Sequence, residues 1–427
     1  MENLIKYDNV VVISDLHVAD PDIDPAVKKR GLDDFDRDEH FARLLGKVIP
    51  DAGWPATLII NGDFIDFIQI LPGLGRHSVG DRYGVTQNDS RLKLGRAIEG
   101  HPVVFDAMAK FLQEKGQILI LPGNHDIDLH WPLVFEDLRK RLGNVPDPML
   151  RFVKEAVINE QRVYIEHGNQ YSYDNRFDSW LNPISLAPDE RERLERPWGT
   201  MFLDHVYNDF KDLYPFSNKV YPHWKLAWIA LRSFKDDKNV SPRAIARLIL
   251  FFSRKGKAFL WEHMLGEKDK DKAVPIEAVW KRLGPVDEQR YSEISAEISS
   301  LLRETNDDAP LVETVPVKLS VMLGRNDDQG MTNKQIELLK SGEVDIVAFG
   351  HTHTAIDGNK RPPFGTADRR RYFNTGSWVP NIPIGDLEKP KWEDLETKPG
   401  ITEISYLVLK LKPQPEAWLE PLRTDRI

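Results

Sequence analysis

The chain has 427 residues, of which 41% are hydrophobic and 29% are charged. This composition supports a large core and excludes disorder as the main state. The net charge of −9 excludes a protein that coats nucleic acids over its whole surface, while a local basic face is compatible with it. The chain contains no cysteine, which excludes disulfides, zinc–thiolate sites, iron–sulfur clusters and thiol nucleophiles.

Strand patterns begin at 10–14, a continuous run of mostly β-branched residues that is typical of a strand buried on both faces. The further predicted strands are 57–61, 117–121, 162–166, 345–349, 372–374 and 403–411. Helical periodicity predicts helices at 38–49 and 91–114, with a Gly-rich loop over 71–90 between them. Buried strands that alternate with helices predict an α/β architecture with sheets covered on both sides.

Residues 175–340 have a different character: strand patterns become rare, while aromatic and charged residues increase together. Helical patterns here lie near 188–196, 199–212, 224–235, 241–264, 275–283 and 289–303. We predict that 175–340 is a mostly helical inserted subdomain that caps the site and sets specificity. The segments 1–174 and 341–427 would then form the α/β core.

The N-terminal sequence MENLIKYDNVVVIS lacks the charged and then apolar layout of a secretion signal. The longest dense apolar run in the middle of the chain, LILFF at 248–252, is far shorter than the roughly 20 residues of a membrane-spanning helix. We expect a cytoplasmic protein without a transmembrane segment, either free or peripheral to a membrane.

Each of the first five predicted strands is followed at its C-terminal end by a short polar cluster. The clusters are Asp15-Leu16-His17, Gly62-Asp63-Phe64-Ile65-Asp66, Gly123-Asn124-His125-Asp126, His167-Gly168-Asn169 and Gly350-His351-Thr352-His353. Ligands of α/β folds bind beyond the carboxyl ends of the strands, so we expect the five clusters to converge on one place.

The donor groups in these clusters are carboxylates, imidazoles and an amide, without any thiolate. Such donors suit Mn, Fe, Zn or Mg rather than copper or a structural zinc. Even seven of these groups are too many for one ion, whereas two ions that share a carboxylate would use seven, and paired ions are the usual machinery for attack on phosphorus. We therefore expect two divalent ions, with Mn²⁺ as the first choice.

The patterns D-x-H, GD-x-x-D, GNHD, HG and GHTH, in this order, resemble the calcineurin-like metallophosphoesterase superfamily. The resemblance covers 10–170 and 343–380. It implies a two-sheet β-sandwich flanked by helices, with a dinuclear metal centre on the loops at the strand ends. The ligands that it implies are Asp15, His17 and His353 for one ion, Asn124, His167 and His351 for the other, and Asp63 between the two.

The resemblance also implies roles for residues that do not bind metal. His125 would face the substrate phosphate, stabilise the transition state and protonate the leaving oxygen. Asp126 would hold or polarise His125, and Asp66 would support the inner residues from outside. The nucleophile would be a metal-bound hydroxide, and no covalent phosphoenzyme is implied.

Further residues near these clusters are candidates for substrate contact or for support. Asn169 and Tyr171 follow His167, and Arg76 and His77 lie in the Gly-rich loop, where an ordinary loop is the competing interpretation. Asn374 and Ser377 in the NTGSW sequence are expected to pack a turn near the site.

The stretch 225–285 contains 14 Lys or Arg and seven Asp or Glu, interleaved with aromatic and aliphatic residues. One interpretation is a basic cap that binds an anionic substrate, a nucleic acid or an anionic lipid surface. The competing interpretation is an amphipathic helix that packs on the core with solvated basic side chains.

The HGNQY, FGHTH and YFNTGSW sequences are similar to bacterial relatives of UDP-2,3-diacylglucosamine hydrolases, which cleave the pyrophosphate of a nucleotide-linked lipid precursor. That subfamily typically has Arg where His125 stands, and its members are shorter. We expect a phosphoesterase that hydrolyses a phosphomonoester, a phosphodiester or a pyrophosphate. A nuclease, a nucleotide (pyro)phosphatase and a non-catalytic regulatory protein of the same fold remain the alternatives.

Overall fold

The computed structural model describes residues 4–21, 32–70, 85–155, 157–158, 160–172, 174–186, 190–208, 327–361, 370–383, 391–397, 400 and 403–422, with scattered residues between 211 and 300. The strands with described ends are, in chain order, β1 (Asn9–Ile13), β2 (Ala56–Asn61), β3 (Gln117–Leu121), β4 (Leu150–Phe152), β5 (Val157–Ile158), β6 (Val163–Ile165), β7 (Ile184–Leu186), β8 (Glu192–Leu194), β9 (Val220–Tyr221), β10 (Ile346–Phe349), β11 (Arg371–Asn374), β12 (Ile382–Pro383), β13 (Ser405–Lys410) and β14 (Glu416–Pro421).

Two sheets form the α/β core. The larger has six strands in the order β14-β13-β1-β2-β3-β4, and the smaller has four in the order β11-β10-β6-β5. Strands β1 to β4 are parallel to one another, and so are β6, β10 and β11. Parallel strands end at the same edge of their sheet, so the loops after β1, β2 and β3 share one edge.

Alternate residues of the central strands point to opposite faces of the larger sheet. Val10 and Val12 of β1 belong to a buried apolar cluster that also contains Ile165 of the smaller sheet. Val11, between them, belongs to a second cluster that contains Phe105, which lies in a helix. The result is a two-sheet β-sandwich with helices on its outer faces, which confirms the predicted fold class.

Helices cover the outer faces of both sheets. All helices of the chain with described ends, in both units, are, in chain order, α1 (Asp38–Arg43), α2 (Ile49–Ala52), α3 (Gln87–Gly100), α4 (Pro102–Gln113), α5 (Pro132–Arg141), α6 (Trp198–Phe202), α7 (Asp327–Ser341) and α8 (Trp392–Thr397). A π-helical turn at Leu44–Val48 joins α1 to α2, so the predicted helix at 38–49 is present. Leu339 of α7, a helix that the sequence did not predict, packs with Val347 and Phe349 of the smaller sheet.

The predicted helix at 91–114 is in fact two helices, α3 and α4. His101, between them, has a non-helical backbone with φ −125° and ψ 54°. Pro102 starts α4 because a proline has no N–H to continue the preceding helix and fits the first helical position. Helix α3 also begins earlier than predicted, since Thr86 and Asp89 form a capping box at its N-terminus.

The predicted helix near 188–196 is wrong. Residues Glu192–Leu194 form β8, which pairs antiparallel with β7. Prolines at 183, 188 and 197 flank this region, and proline inside a helix removes a hydrogen bond and clashes with the preceding turn. A short hairpin fits between the prolines where a helix does not.

The chain divides into two compact units. The first comprises Met1–Thr200, Asn326–Pro380 and Thr402–Ile427, and the second Met201–Arg325 and Asn381–Ile401. Within the second unit, β9 pairs with β12, and Trp392 of α8 packs edge-on against Tyr214. The predicted limits of the insertion, 175 and 340, stay a prediction. Among the described residues, no helix is long and apolar enough to cross a membrane.

Candidate metal centre

The loops that follow β1 and β10 bring together Asp15, His17 and His353. Nε2 of His17 lies 3.1 Å from Nε2 of His353, which in turn lies 3.4 Å from Oδ1 of Asp15. One donor atom from each of the three residues lies within 4.8 Å of the others. These are the residues that the sequence placed around one ion.

A second group consists of Asp63 after β2, His167 after β6 and His351 after β10. Their donor atoms also lie within 4.8 Å of one another. Oδ2 of Asp63 lies 3.2 Å from Nε2 of His167 and 3.8 Å from Nε2 of His17. The Asp63 carboxylate therefore lies between the two groups.

Asp66 lies between two histidines of the site. Its Oδ2 is 3.1 Å from Nδ1 of His17, and its Oδ1 is 2.9 Å from Nδ1 of His125. The side-chain amide of Gln69 donates a further hydrogen bond of 2.9 Å to Oδ2. One fully buried carboxylate thus orients both His17 and His125.

Asp126 binds backbone rather than His125. Its two carboxylate oxygens accept hydrogen bonds from the N–H groups of Gly123, at 2.6 Å, and Phe64, at 2.8 Å. The carboxylate at Nδ1 of His125 belongs to Asp66. Asp126 therefore joins the loops after β2 and β3. Among the described contacts, none links the Asp126 carboxylate directly to His125, as its predicted role would require.

Five residues of the site have a left-handed backbone: Asp15, His17, Asp63, His351 and His353, with φ between 51° and 68°. This conformation is uncommon for residues other than glycine. Such strain clusters at functional sites, where the surroundings hold it in place.

Hydrogen bonds between neighbouring loops hold this backbone. The N–H of Asp15 donates to the carbonyl of Gly62 at 3.1 Å, and the N–H of His17 donates to the carbonyl of Asp63 at 2.9 Å. The N–H of His125 donates to Oδ1 of Asp63 at 2.9 Å. The loops after β1, β2 and β3 therefore fix one another.

Gly123 is required for the close approach of two of these loops. A Cβ atom at this position would collide with the side chain and the backbone nitrogen of Asp63. Only glycine lets the loop after β3 lie against the loop after β2 at this point.

The NTGSW segment, residues 374–378, packs a turn next to the site, as predicted. Asn374 donates from its side-chain amide to the carbonyl of Gly350 at 2.7 Å. The hydroxyl of Ser377 donates to the carbonyl of Asp15 at 3.1 Å. Both residues are buried, so they fix the backbone that carries the ligands.

Buried charges at the centre perturb one another strongly. Burial acts to lower the pKa of His167, but the charges of Asp63 and Asp15 outweigh it and raise that pKa to about 10. Burial also acts to lower the pKa of His125, but the charges of Asp66 and Asp63 outweigh it and raise that pKa to about 9. For Asp63, burial is outweighed by His167 and His125, which hold its pKa well below the ordinary range. Protons on imidazole thus balance carboxylate charge, and a divalent cation can take over that role.

His351 behaves differently from the other histidines. Burial and the positive charge of His167 lower its pKa to about 3. The imidazole is therefore neutral at neutral pH, which is the form that binds a metal.

The chemistry of the donor set fits divalent metal ions. Among the described residues, the buried Oδ1 of Asn124 has no hydrogen-bond partner, although buried polar atoms are rarely left unpaired. The residues that would hold the ions are Asp15, His17 and His353 in one group and His167 and His351 in the other, with Asp63 between them. The resemblance adds Asn124 to the second group, which stays a prediction.

Comparison with known families identifies the chain. A model of the family described as calcineurin-like phosphoesterase matches residues 9–227, slightly more than half of the 427 residues. The chain belongs to the calcineurin-like phosphoesterase family. Together with the His and Asp clusters, this membership makes it a metal-dependent phosphoesterase, a hydrolase of phosphoester bonds that binds divalent metal. A search of curated proteins finds no significant match to this phosphoesterase.

The predicted substrate contacts of this phosphoesterase stay predictions, and the structure shows the surroundings of two of these residues. Asn169 is fully buried, and its side-chain amide donates to the backbone carbonyl of Asn175 at 3.1 Å. Tyr171 stacks on Phe349 with ring centroids 5.9 Å apart. Arg76 and His77 lie outside the described residues.

Sequence reasoning missed Asn175. Its side-chain nitrogen lies 3.4 Å from Nε2 of His351, in a loop eight positions after His167 and at the first residue of the predicted insertion. No spacing pattern marks this position, because the contact depends on how the chain folds back after the short 3₁₀ turn at Asn169–Tyr171.

Proposed function

We propose that this chain is a dinuclear phosphoesterase in which two divalent ions, Mn²⁺ in the first instance, share Asp63. The observation that carries the proposal is the position of the Asp63 carboxylate between histidines of the two donor groups, 3.2 Å from His167 and 3.8 Å from His17. A site for a single ion would not need a donor group on each side of one buried carboxylate.

Bound ions would lower the pKa of a water molecule and polarise the phosphoryl oxygens, which is the chemistry that paired metals supply. The chain's own residues would orient the reacting groups and donate a proton to the substrate. Asp66 holds Nδ1 of His125 at 2.9 Å, so the other ring nitrogen can donate a proton to a phosphoryl oxygen or to the leaving oxygen. This geometry supports Asp66, rather than Asp126, as the partner of His125.

The proposed substrate is a phosphate ester: a phosphomonoester, a phosphodiester or a pyrophosphate. An anionic macromolecular partner at 225–285 stays a proposal, because most of that stretch lies outside the described residues. The described part contains buried apolar residues such as Ile245 and Leu248, which is compatible with a helix packed on its own core.

The assay that tests the proposal compares bis-p-nitrophenyl phosphate, p-nitrophenyl phosphate and a nucleoside diphosphate as substrates, with Mn²⁺, Zn²⁺, Fe²⁺ or Mg²⁺ added to metal-stripped protein. We expect metal-dependent release of product by the wild type. Asp63→Asn should reduce kcat/KM by at least 10²-fold, because the shared ligand loses charge.

The matched control is Asp51→Asn, which makes the same change at an exposed aspartate and should retain wild-type activity. If the wild type shows no turnover with any ion and any substrate, the chain is a non-catalytic member of the family. If Asp63→Asn is as active as the wild type, the shared-carboxylate site is wrong.

A further inference from the structure

Two histidines of the centre have one ring nitrogen occupied by the protein. Nδ1 of His167 donates to the carbonyl of Asn61 at 2.8 Å, and Nδ1 of His17 lies 3.1 Å from the carboxylate of Asp66. In both rings Nε2 is the nitrogen that lies near Asp63 at the centre. Histidines that bind metals almost always have the second nitrogen held in this way, which fixes the ring and its tautomer.

His351 has a partner of another kind, on the opposite nitrogen. Its Nε2 lies 3.4 Å from the side-chain amide of Asn175, while the hydroxyl oxygen of Ser172 lies 3.3 Å from the same amide nitrogen. A half-turn of the amide exchanges its nitrogen and oxygen without moving the rest of the residue. With its oxygen turned inward, Asn175 can accept from both Nε2 of His351 and the Ser172 hydroxyl.

The backbone of Asn175 is fixed from two sides. Asn169, fully buried, donates to the carbonyl of Asn175 at 3.1 Å. The N–H of Gly199 donates to the carbonyl of Asp174 at 2.7 Å, and a Cβ at Gly199 would collide with the Asn175 side chain. Asn175 therefore has little freedom to leave His351.

We propose that Asn175 is a positioning residue for the metal ligand His351. Its amide oxygen would accept the proton of Nε2, which leaves the lone pair of the imidazole on Nδ1 and available to a metal ion. This role rests on the proposed dinuclear site. Asn169, predicted as a substrate contact, then acts one step further out by holding Asn175.

The experiment is a titration of the metal-stripped full-length chain with MnCl₂, followed by calorimetry and without any substrate. Asn175→Leu removes the acceptor but retains the branching and the number of side-chain heavy atoms, and it should weaken one bound equivalent of Mn²⁺ by about 10–100-fold. Asn175→Asp retains an acceptor oxygen and should bind at least as tightly as the wild type. Asn182→Leu makes the same change at an exposed position and should have no effect.

A purely structural role would make Asn175→Asp as weak as Asn175→Leu, and that result would overturn the proposal. The proposal would also be overturned if the wild type and Asn175→Leu bound every equivalent of Mn²⁺ with equal affinity, whatever number of ions the wild type binds. Asn175→Ala is assessed by the same criteria if the Leu variant does not fold. The titration contains no substrate, so its result does not depend on catalysis. If the wild type binds Mn²⁺ but shows no turnover in the activity assay, only the proposed function is refuted.

Discussion

The ligand side chains occupy backbone conformations that the chain does not adopt by preference. A non-glycine residue in the left-handed region costs on the order of 1 kcal/mol or more, and five residues of the centre are in that region. Hydrogen bonds between the loops offset this cost, such as that from His17 to the carbonyl of Asp63. The protein thus holds the donors in place before any ion arrives, which limits the rearrangement that binding requires.

His125 should contribute to the chemical step rather than to metal binding. We expect His125→Asn to lower kcat by about 10²–10⁴-fold on substrates with poor leaving groups, because the proton donor is lost. With p-nitrophenol as the leaving group the loss should be smaller, since this group needs less protonation. Steady-state rates with an alkyl and a nitrophenyl ester of the same phosphate measure the difference.

The internal control for His125→Asn is its metal content, which should equal that of the wild type. An equal loss of rate on both leaving groups would contradict proton donation and would leave only stabilisation of phosphoryl charge. Loss of a bound ion would show instead that His125 is part of the metal-binding set.

The family resemblance predicted the seven candidate ligands, and the structure brings six of them, Asp63 included, into two groups of three. This was possible because each follows a buried strand at short spacing, so the strand edge fixes its position. Asn175 could not be found in this way, since it follows no strand. The partner of His125 was assigned to the adjacent Asp126 in sequence, whereas in space it is Asp66.

A buried ion-paired histidine joins α3 and α4 to the start of α1 and to the segment before it. His101 lies between α3 and α4, with Nε2 2.9 Å from Asp33 and Nδ1 3.0 Å from Asp38. Burial acts to lower its pKa, but the two hydrogen bonds outweigh burial and raise it to about 9. Asp33 also accepts from the N–H of Ala19, so this link reaches the loop after β1.

The raised pKa of His101 predicts a pH dependence of stability. Its contribution should be fully present below about pH 6.5, the ordinary pKa of histidine, and lost as the pH rises through about 9. His101→Gln should therefore lower the free energy of unfolding most near pH 6 and least near pH 10. Urea unfolding of both proteins across this range measures the difference.

Asp38→Asn is the partner variant for His101 and should show a similar but smaller pH dependence, because Asp33 still pairs with the ring. A difference between wild type and His101→Gln that stays constant from pH 6 to pH 10 would contradict an ionised His101.

Strands were easier to predict than helix limits. The runs at 10–14, 57–61 and 117–121 are apolar because both faces of the sheet are covered. The break at His101–Pro102 was missed because apolar periodicity continues through it, and proline chemistry decides the boundary. The strand β14 was missed because its side chains are only partly buried, so no apolar run marks it.

The proposed centre draws its donors from both sheets of the sandwich. Asp15, His17, Asp63 and Asn124 follow strands of the larger sheet, whereas His167, His351 and His353 follow strands of the smaller one. A bound ion would therefore connect two sheets that also share a buried apolar cluster. Metal binding should stabilise the sandwich as a whole rather than a single loop.

Metal removal should lower the thermal stability of the full chain. At a free ion concentration 100 times the Kd, one bound ion adds about 2.7 kcal/mol to the free energy of unfolding. We expect a higher Tm with Mn²⁺ than with EDTA, measured by calorimetry, and a much smaller difference for Asp63→Asn. Equal Tm values for the wild type under both conditions would contradict a site shared by the two sheets.

The fold class followed from the sequence because buried strands and strand-end clusters are repeated along the chain. The interior of the insertion did not, since its amphipathic patterns fix neither the ends of helices nor their partners. Strand β8 shows this: the sequence predicts a helix for its residues, within 188–196, until the pairing of Ile184 with Leu194 is known.

The distance in sequence between the donors has a consequence for biosynthesis. His17 and His353 lie 336 positions apart, and β1 is bordered in its sheet by β13, near the end of the described chain. Ribosomes add about 5–20 residues per second, so His353 follows His17 by roughly 20–70 seconds. A chain still being translated presents only part of the donor set, and we expect the complete centre to load its ions only after the C-terminal strands have emerged.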